Sequence, residues 1–387
     1  MSVLDIPAPA FMEDPEIQAF ADSAARFFQR EAPPERVAQW RAAGQVERQF
    51  WRQAGEAGLL GVSVPTQYGG AGGDFRHDIV VFEQTQRNGV DGFAVALHNV
   101  IVLPYILAHG TEEQRRRWLP KLVSGERVSA IAMSEPGAGS DLQAIRTTAV
   151  KEGRTYRLNG SKTFISNGQI ADFIVVVAKT DSAAGHKGVS LLVVETDEVE
   201  GFQRGKKLDK IGLEAQDTSE LFFNDVRVPE SNLLGGEEGH GFEQLMNELP
   251  RERLLLAISG VINMELALQT TVEYVKSRKA FGKHVIEFQN TQFKLAECKA
   301  QATVAKVFVN DCIEKVLQGR LDNPLSAIAK MWVTDVECKV VDECLQLHGG
   351  YGYINEYPIA RLFRDCRAQR IYGGTNEIMK VVIARSL

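Results

Sequence analysis

The sequence is poor in cysteine, in long apolar runs and in charge of either sign in excess, and it lacks the common nucleotide fingerprints. Its five cysteines (Cys298, Cys312, Cys338, Cys344 and Cys366) sit in the last third, odd in number and without metal-ligand spacing. They read as reduced thiols packed on helices of a cytoplasmic protein, with no metal site expected. The longest near-continuous apolar stretch, Val100 to Ala108, is broken by Pro104 and is too short to span a bilayer, so no integral membrane segment is expected. The N-terminus carries Asp5, Glu13 and Asp14 but no basic residue before Arg26, which fits neither a secretory signal nor an Arg-rich transit peptide. Lys and Arg total 44 against 50 Asp and Glu, a formal net charge of −6. That balance argues against a coat for nucleic acid or anionic membrane, while leaving room for a local phosphate site. No G-x-G-x-x-G occurs, because Gly137-Ala-Gly139 and Gly350-Tyr-Gly352 both fail at the third glycine, and no P-loop occurs. A nucleotide cofactor would need another device.

What is present is an ordinary globular composition over 387 residues, 44% apolar and 24% charged, enough for two or three domains. Three textures divide the chain. Residues 1–127 read as helices with Gly-rich breaks: Phe20, Ala24, Phe27 and Phe28 keep helical spacing, as do Val95, Val102, Tyr105 and Ile106. Within this zone His109-Gly110-Thr111 pairs a C-cap glycine with a Thr N-cap and Gln114 three residues on. Residues 128–239 read as strands, with Phe173 to Ala178, Val189 to Val194 and Leu221 to Val228 as runs, and a hairpin turn expected at Asn159-Gly160. Residues 240–387 return to long helices, clearest over Gln244 to Lys279 and Gln289 to Gln318. The order helical, β, helical predicts an α+β chain of three lobes with a site in their crevices.

Several segments carry chemistry. Ala132-Met133-Ser134-Glu135-Pro136-Gly137-Ala138-Gly139-Ser140-Asp141-Leu142 is a tight, hydroxyl-lined turn, either a plain polar loop or a cradle of backbone amides for an anion or a polar ring edge. Gln346-Leu347-His348-Gly349-Gly350 closes a helix in a glycine cluster, and Gly373-Gly374-Thr375-Asn376-Glu377 opens the last one. Both suit helix capping and close backbone approach to phosphate. Arg278-Lys279-Ala280-Phe281-Gly282-Lys283 gathers cations past a long helix, which serves a helix C-terminus or a pyrophosphate. Glu252 shares a helical stripe with Leu245, Leu249 and Leu256. A carboxylate there is a partner of the adjoining arginines or a functional acid/base, and Pro250 in the same helix is expected to kink it.

Together these segments resemble the acyl-CoA dehydrogenase family nearly end to end. Ala132–Leu142 and Gln346–Asp365 look like its two signatures, and Glu248-Leu-Pro-Arg-Glu252-Arg-Leu-Leu with Ile371-Tyr-Gly-Gly-Thr-Asn-Glu-Ile looks closest to the long-chain members. The resemblance implies an N-terminal helical domain, a middle β-barrel or sandwich and a C-terminal four-helix bundle holding FAD. It implies flavin contacts from Met133, Ser134, Gly139, Ser140, Phe164, Ile165 and Ser166, with Phe164 standing where many relatives carry Trp. It implies further FAD contacts, partly to a neighbouring subunit, from Arg278, Phe281, Gln289, Gln346, Gly349 and Gly350, and from Thr375, Asn376 and Glu377. Ser140, Pro250, Arg251, Arg253, Gly373 and Gly374 would line the acyl-CoA path. Short- and medium-chain relatives have their catalytic glutamate where this chain has Gly373, so the base passes to Glu252, as in long-chain and isovaleryl-type relatives.

The chemistry implied is α,β-dehydrogenation of an acyl-CoA thioester to trans-2-enoyl-CoA, in fatty acid β-oxidation or related catabolism. Glu252 would take the α-proton, its pKa raised by burial, and the Gly373 backbone N–H would face the thioester oxygen. Electrons would pass to an electron-transferring flavoprotein, and a homotetramer is the family expectation. The rival readings are an acyl-CoA oxidase using oxygen and a non-catalytic scaffold that kept the fold. A nitroalkane-oxidising or hydroxylating flavoenzyme fits the CoA-path residues less well.

Overall fold

The computed structural model describes residues 3–387. Six helices come first: α1 (Pro15–Glu31), α2 (Pro34–Ala43), α3 (Arg48–Glu56), α4 (Phe75–Arg87), α5 (Leu103–His109) and α6 (Glu112–Val123). Two of their starts are set by local chemistry. Asp74 and His77 form a capping box before α4, and Thr111 with Gln114 forms the one expected before α6. A π-helix, Leu97–Val102, runs directly into α5.

Seven strands follow: β1 (Ser129–Ala132), β2 (Thr148–Glu152), β3 (Thr155–Ser166), β4 (Phe173–Lys179), β5 (Val189–Glu195), β6 (Phe202–Lys207) and β7 (Thr218–Pro229). They make one sheet in the order β1-β4-β2-β3-β7-β6, with β5 paired to β4. The β1–β4 pair is parallel, whereas β2–β3, β3–β7, β4–β5 and β6–β7 are antiparallel. The two faces of β4 enter different cores: Phe173, Val175 and Val177 pack with Trp118, Leu119 and Leu122 of α6, and Ile174, Val176 and Ala178 pack with Tyr156, Leu158 and Leu221.

The hairpin turn expected at Asn159-Gly160 is not there. Both residues lie inside β3, where the register against β7 shifts between Leu158 and Gly160. The β2–β3 turn falls instead at Gly153-Arg154, between the paired Glu152 and Thr155, with Gly153 at a φ of 63°. Gly160 is needed for closeness: a Cβ there would stand 2.4 Å from Thr147 Oγ1. A bulge glycine in a strand and a turn glycine look alike in sequence.

The last stretch holds α7 (Gly241–Ser277), a two-stranded ribbon of β8 (Lys279–Ala280) and β9 (Lys283–His284), α8 (Gln289–Leu317), α9 (Asn323–Leu347), α10 (Pro358–Cys366) and α11 (Asn376–Ala384). α7 runs as one helix through Pro250. By length and composition it could cross a bilayer, yet most of its apolar window is buried within the fold, the condition of a core helix. The chain gathers into two compact units. One, here the sheet unit, is Ala19–Lys210 with Glu214–Glu248; the other, the helical unit, is residues 3–18, Ile211–Leu213 and Leu249–Leu387.

Candidate functional site

In the sheet unit the turn after β1 is pinned from below. Lys162 Nζ donates to Glu135 Oε1 and to the Met133 carbonyl, each at 2.9 Å. Glu135 also accepts from the backbone N–H of Arg146 at 2.6 Å and of Thr147 at 3.0 Å, and Thr163 N–H donates to the Ser134 carbonyl at 2.9 Å. Burial pulls the Lys162 ammonium down to about 8, with Glu135 opposing. Burial alone would raise Glu135, but Lys162 and the backbone donors hold it below the usual carboxylate range. The turn's far side is open: Gly139 and Ser140 are exposed, and nothing stands within 4 Å of where a Cβ would project from Gly137 or Gly139.

Beside it, β3 shifts register again between Lys162 and Ile165. That irregularity holds Phe164 at a φ of 60° with its ring 69% exposed. An aromatic kept on the surface at a strained backbone angle has a free face against which a flat ring could stack. Ile165 turns into the core, so its backbone alone is available outward, while Ser134 and Ser166 are half-buried.

The helical unit holds the acid/base candidate. Glu252 is 7% exposed on α7 and Arg253 is buried next to it. Burial pulls the Arg253 guanidinium below its usual range, with the Glu252 carboxylate working against that. Arg253 Nη1 donates to Asn323 Oδ1, while Pro250 and Arg251 are half-buried. Gly373 and Gly374 have positive φ (67° and 88°), and a Cβ on Gly373 would come 2.7 Å from Leu256 Cδ1. Leu256 lies one helical turn beyond Glu252, so Gly373 meets the stripe of α7 that carries the glutamate.

This turn has an anchor that sequence reading missed. Lys330, fully buried on α9, donates to the Gly374 carbonyl at 2.7 Å and to Asn376 Oδ1 at 2.8 Å. Its ammonium is pulled down to about 8, chiefly by burial and then by Arg253. The Asn376 amide donates to the Met331 carbonyl, Thr334 Oγ1 and Asp335 Oδ1 at 3.0–3.2 Å. Asn376 is therefore spent on holding the turn, and Thr375 caps α11 through the Ile378 N–H; Glu377 is exposed. Signals for Lys330 and for Glu337 were available, since both share a buried stripe of α9 with Val333 and Val341.

A third cluster stands at the other end of α7. Tyr274, Arg278, His348, Gly349 and Gly350 line a cavity of about 560 Å³. Tyr274 is 22 residues beyond Glu252, which at helical rise separates the two by roughly 33 Å. The exposed Arg278 guanidinium lies 5.6 Å from the centre of the Tyr351 ring. His348 stacks on Tyr274, donates from Nδ1–H to the Cys344 carbonyl (2.9 Å), and leaves a buried Nε2 without a partner. Gly349 has a φ of 59°, and open space lies where a Cβ would stand on it or on Gly350. A guanidinium and bare backbone fit an anionic group such as a pyrophosphate. Gln346, Gln289 and Phe281 are exposed. Among the described residues no three His, Cys, Asp or Glu side chains are grouped to hold a metal.

Comparison with known proteins covers the chain almost completely. Residues 14–126, 130–226 and 239–387 match the family models of the acyl-CoA dehydrogenase N-terminal, middle and C-terminal domains. The chain is 48% identical over 374 residues to the long-chain specific acyl-CoA dehydrogenase, mitochondrial, of Sus scrofa, covering 96% of this chain and 86% of that one. A crystal structure of an acyl-CoA dehydrogenase from Geobacillus kaustophilus superposes with a TM-score of 0.94 at 48% identity, over 96% of this chain and 98% of that one. A glutaryl-CoA dehydrogenase from Mycobacterium smegmatis, solved in complex with FADH2, superposes with a TM-score of 0.88 at 26% identity, over 97% and 95% of the two chains.

Proposed function

The chain belongs to the acyl-CoA dehydrogenase family of FAD-dependent oxidoreductases acting on CH–CH bonds, and from that premise we propose that it dehydrogenates long-chain fatty acyl-CoA with Glu252 as the base. The observation that carries the assignment is a single pairing. The position that could oppose Glu252 is Gly373, without a carboxylate, and it rests on the same α7 stripe through Leu256.

Bound FAD supplies the acceptor for the hydride leaving Cβ of the substrate. Ser134, Phe164 and the open side of the Met133–Ser140 turn would hold its ring, and Arg278, Gly349 and Gly350 its phosphates. The roughly 33 Å of α7 between Glu252 and that phosphate cavity supports a cofactor shared with a second copy, hence the family's homotetramer.

The residues of the chain then divide the work on the substrate. The Glu252 carboxylate takes the α-proton of the thioester, a very weak acid that yields only when the enolate is stabilised as it forms. Lys330 grips the Gly374 carbonyl and so fixes the backbone of Gly373 and Gly374, whose N–H groups would face the thioester oxygen. Leu256, with the buried face of α7, keeps water from the carboxylate. Ser140, Pro250, Arg251 and Arg253 would border the CoA path. Fatty acid β-oxidation, electron-transferring flavoprotein as acceptor and a cytoplasmic location complete this reading.

The test is anaerobic mixing of the FAD-loaded protein with palmitoyl-CoA and with butyryl-CoA. Flavin bleaching faster with palmitoyl-CoA, and enoyl-CoA beyond one equivalent per flavin formed only when a dye or electron-transferring flavoprotein is added, is the expected result. Stoichiometric hydrogen peroxide in air would turn the reading to an oxidase. A flavin-free protein that binds no FAD would turn it to a scaffold.

A further inference from the structure

Below the Glu252–Gly373 pair lies a polar knot that the chemistry above does not use. Glu337 of α9 is fully buried, and Oε1 accepts from Asn263 Nδ2 at 2.7 Å and from Gln369 Nε2 at 3.1 Å. The same Gln369 nitrogen donates to Ser259 Oγ at 3.0 Å. Ser259 and Asn263 belong to α7, seven and eleven residues after Glu252, with Leu256 four residues after it. These intervals put Glu252, Leu256, Ser259 and Asn263 on one face of the helix. Gln369 is four residues before Gly373. The segment from Gln369 to Gly373 is thus fixed to that face at two points, by hydrogen bonds at Ser259 and by contact at Leu256.

We propose that Glu337 is a positioning residue for the reaction: it seats the Gln369–Gly373 segment on the α7 face that carries Glu252, and so sets the distance between the base and the Gly373 backbone. The inference rests on the assignment of Glu252 and Gly373 to the substrate made above.

Three observations bear on how it does so. Gly260 lets α7 approach α9 here, since a Cβ would stand 2.9 Å from Val333 Cγ1 and 3.2 Å from Glu337 Oε2. Glycine is disfavoured inside a helix, so its placement opposite the carboxyl matches a need for room. The knot also has two buried oxygens without partners, Glu337 Oε2 and Gln369 Oε1. A carboxylate would set a negative charge among unmatched acceptors, whereas the protonated acid turns one of those oxygens into a donor. Finally, the titratable groups that face Glu337 are Tyr372, Cys366 and Cys338, none of them a cation. Burial without a counter-charge holds the carboxyl well above the usual carboxylate range, the direction that favours the protonated acid. The amide of glutamine has the same shape and hydrogen-bonding pattern as that neutral acid.

Glu337→Ala and Glu337→Gln on the FAD-loaded enzyme separate positioning from mere packing. Two readouts are needed: amide hydrogen exchange over residues 369–374, and kcat and KM with palmitoyl-CoA. For Glu337→Ala, exchange in that segment should rise at least about tenfold and kcat fall at least about tenfold, with KM moving less than about threefold. Glu337→Gln should bring both exchange and kcat back to within about threefold of the parent. If Glu337→Ala fails to fold, Asn263→Ala, which leaves the carboxyl in place but removes one of its two donors, should show the same two changes in smaller measure. Unchanged exchange and kcat in the alanine variant would overturn the inference. So would loosened exchange with normal kcat, or a glutamine variant as impaired as alanine. A Glu252→Gln enzyme with full activity would instead sink the assignment of the base, whatever the exchange data show.

Discussion

Glu252 and Glu248 stand one turn apart on α7, and their surroundings differ enough to make one a control for the other. Glu248 is paired: His109 Nε2 lies 3.1 Å from its Oε1. Glu252 is buried on the stripe that meets Gly373. Glu252→Gln keeps shape and removes the base, so stopped-flow flavin bleaching by acyl-CoA should slow at least about 10²-fold while FAD stays bound. Glu248→Gln should lose about 1 kcal/mol of stability at most and change the rate far less. A crippled Glu248→Gln beside a normal Glu252→Gln would reverse the assignment. Moving the carboxylate across the site is harder than the family comparison suggests. With a φ of 67° and Leu256 Cδ1 2.7 Å from any Cβ, Gly373 resists a side chain. Gly373→Glu with Glu252→Gly should therefore recover little activity by itself. Adding Leu256→Ala, which clears the clash, should raise the recovered bleaching rate several-fold. No gain from the third substitution would mean that the backbone angle, and not Leu256, is the obstacle.

At the scale of elements, the π-helix Leu97–Val102 carries a buried histidine that ties three segments together. His98 Nε2 donates to the Leu122 carbonyl at 3.0 Å, and Nδ1 lies 2.8 Å from Ser129 Oγ and accepts from the Ser129 N–H at 3.3 Å. Asn167 in turn donates to the Ser129 carbonyl at 3.0 Å. An Nδ1 that accepts a backbone N–H cannot also carry a proton, and burial pulls His98 down to about 4. The unfolded chain protonates this histidine near its ordinary value, about 6.5, and the folded one does not until about 4. Its contribution is fully present above pH 6.5 and is lost as pH falls toward 4, on the order of 3 kcal/mol in all. Thermal melts from pH 7 to pH 4.5 should show a steeper fall in Tm for the parent than for His98→Gln. Parallel curves would show that His98 does not govern acid sensitivity.

At the scale of the whole molecule, the cofactor contacts proposed above come from segments far apart in the chain. The turn at Ser134 and the exposed Phe164 belong to the sheet unit, and the cavity at Arg278, proposed for the phosphates, to the helical unit. Arg278→Ala removes a guanidinium from that cavity while leaving its exposed site free of packing cost. Flavin occupancy after dilution and dialysis, read from the visible spectrum, should drop markedly, since the proposed pyrophosphate would lose a bidentate charged partner. Full occupancy would remove Arg278 from the cofactor site. Phe164→Ala should leave occupancy nearer to the parent while changing the flavin spectrum, because it removes a ring contact and no charge.

The elements legible in the sequence are those with short-range causes. The capping box at Thr111 and Gln114, the apolar runs of β4, β5 and β7, and the long helices α7 and α8 each follow from residues within a few positions of one another. The burial of Glu252 was legible because a carboxylate interrupts a helical stripe of leucines, and its role as base is the reading proposed from the family resemblance. What only the tertiary structure decided depends on partners remote in sequence. Gly160 is a bulge and not a turn because Thr147 presses on it, and Lys330 is an anchor because Gly374, 44 residues later, brings a carbonyl to it. Glu337 carried the same stripe signal as Glu252, but its meaning lay in Asn263 and Gln369, 74 and 32 residues away. A buried polar group announces itself by its place in a pattern of apolar neighbours. Its role is set by whichever distant donor or acceptor folding delivers to it, since such a group is stable only when matched.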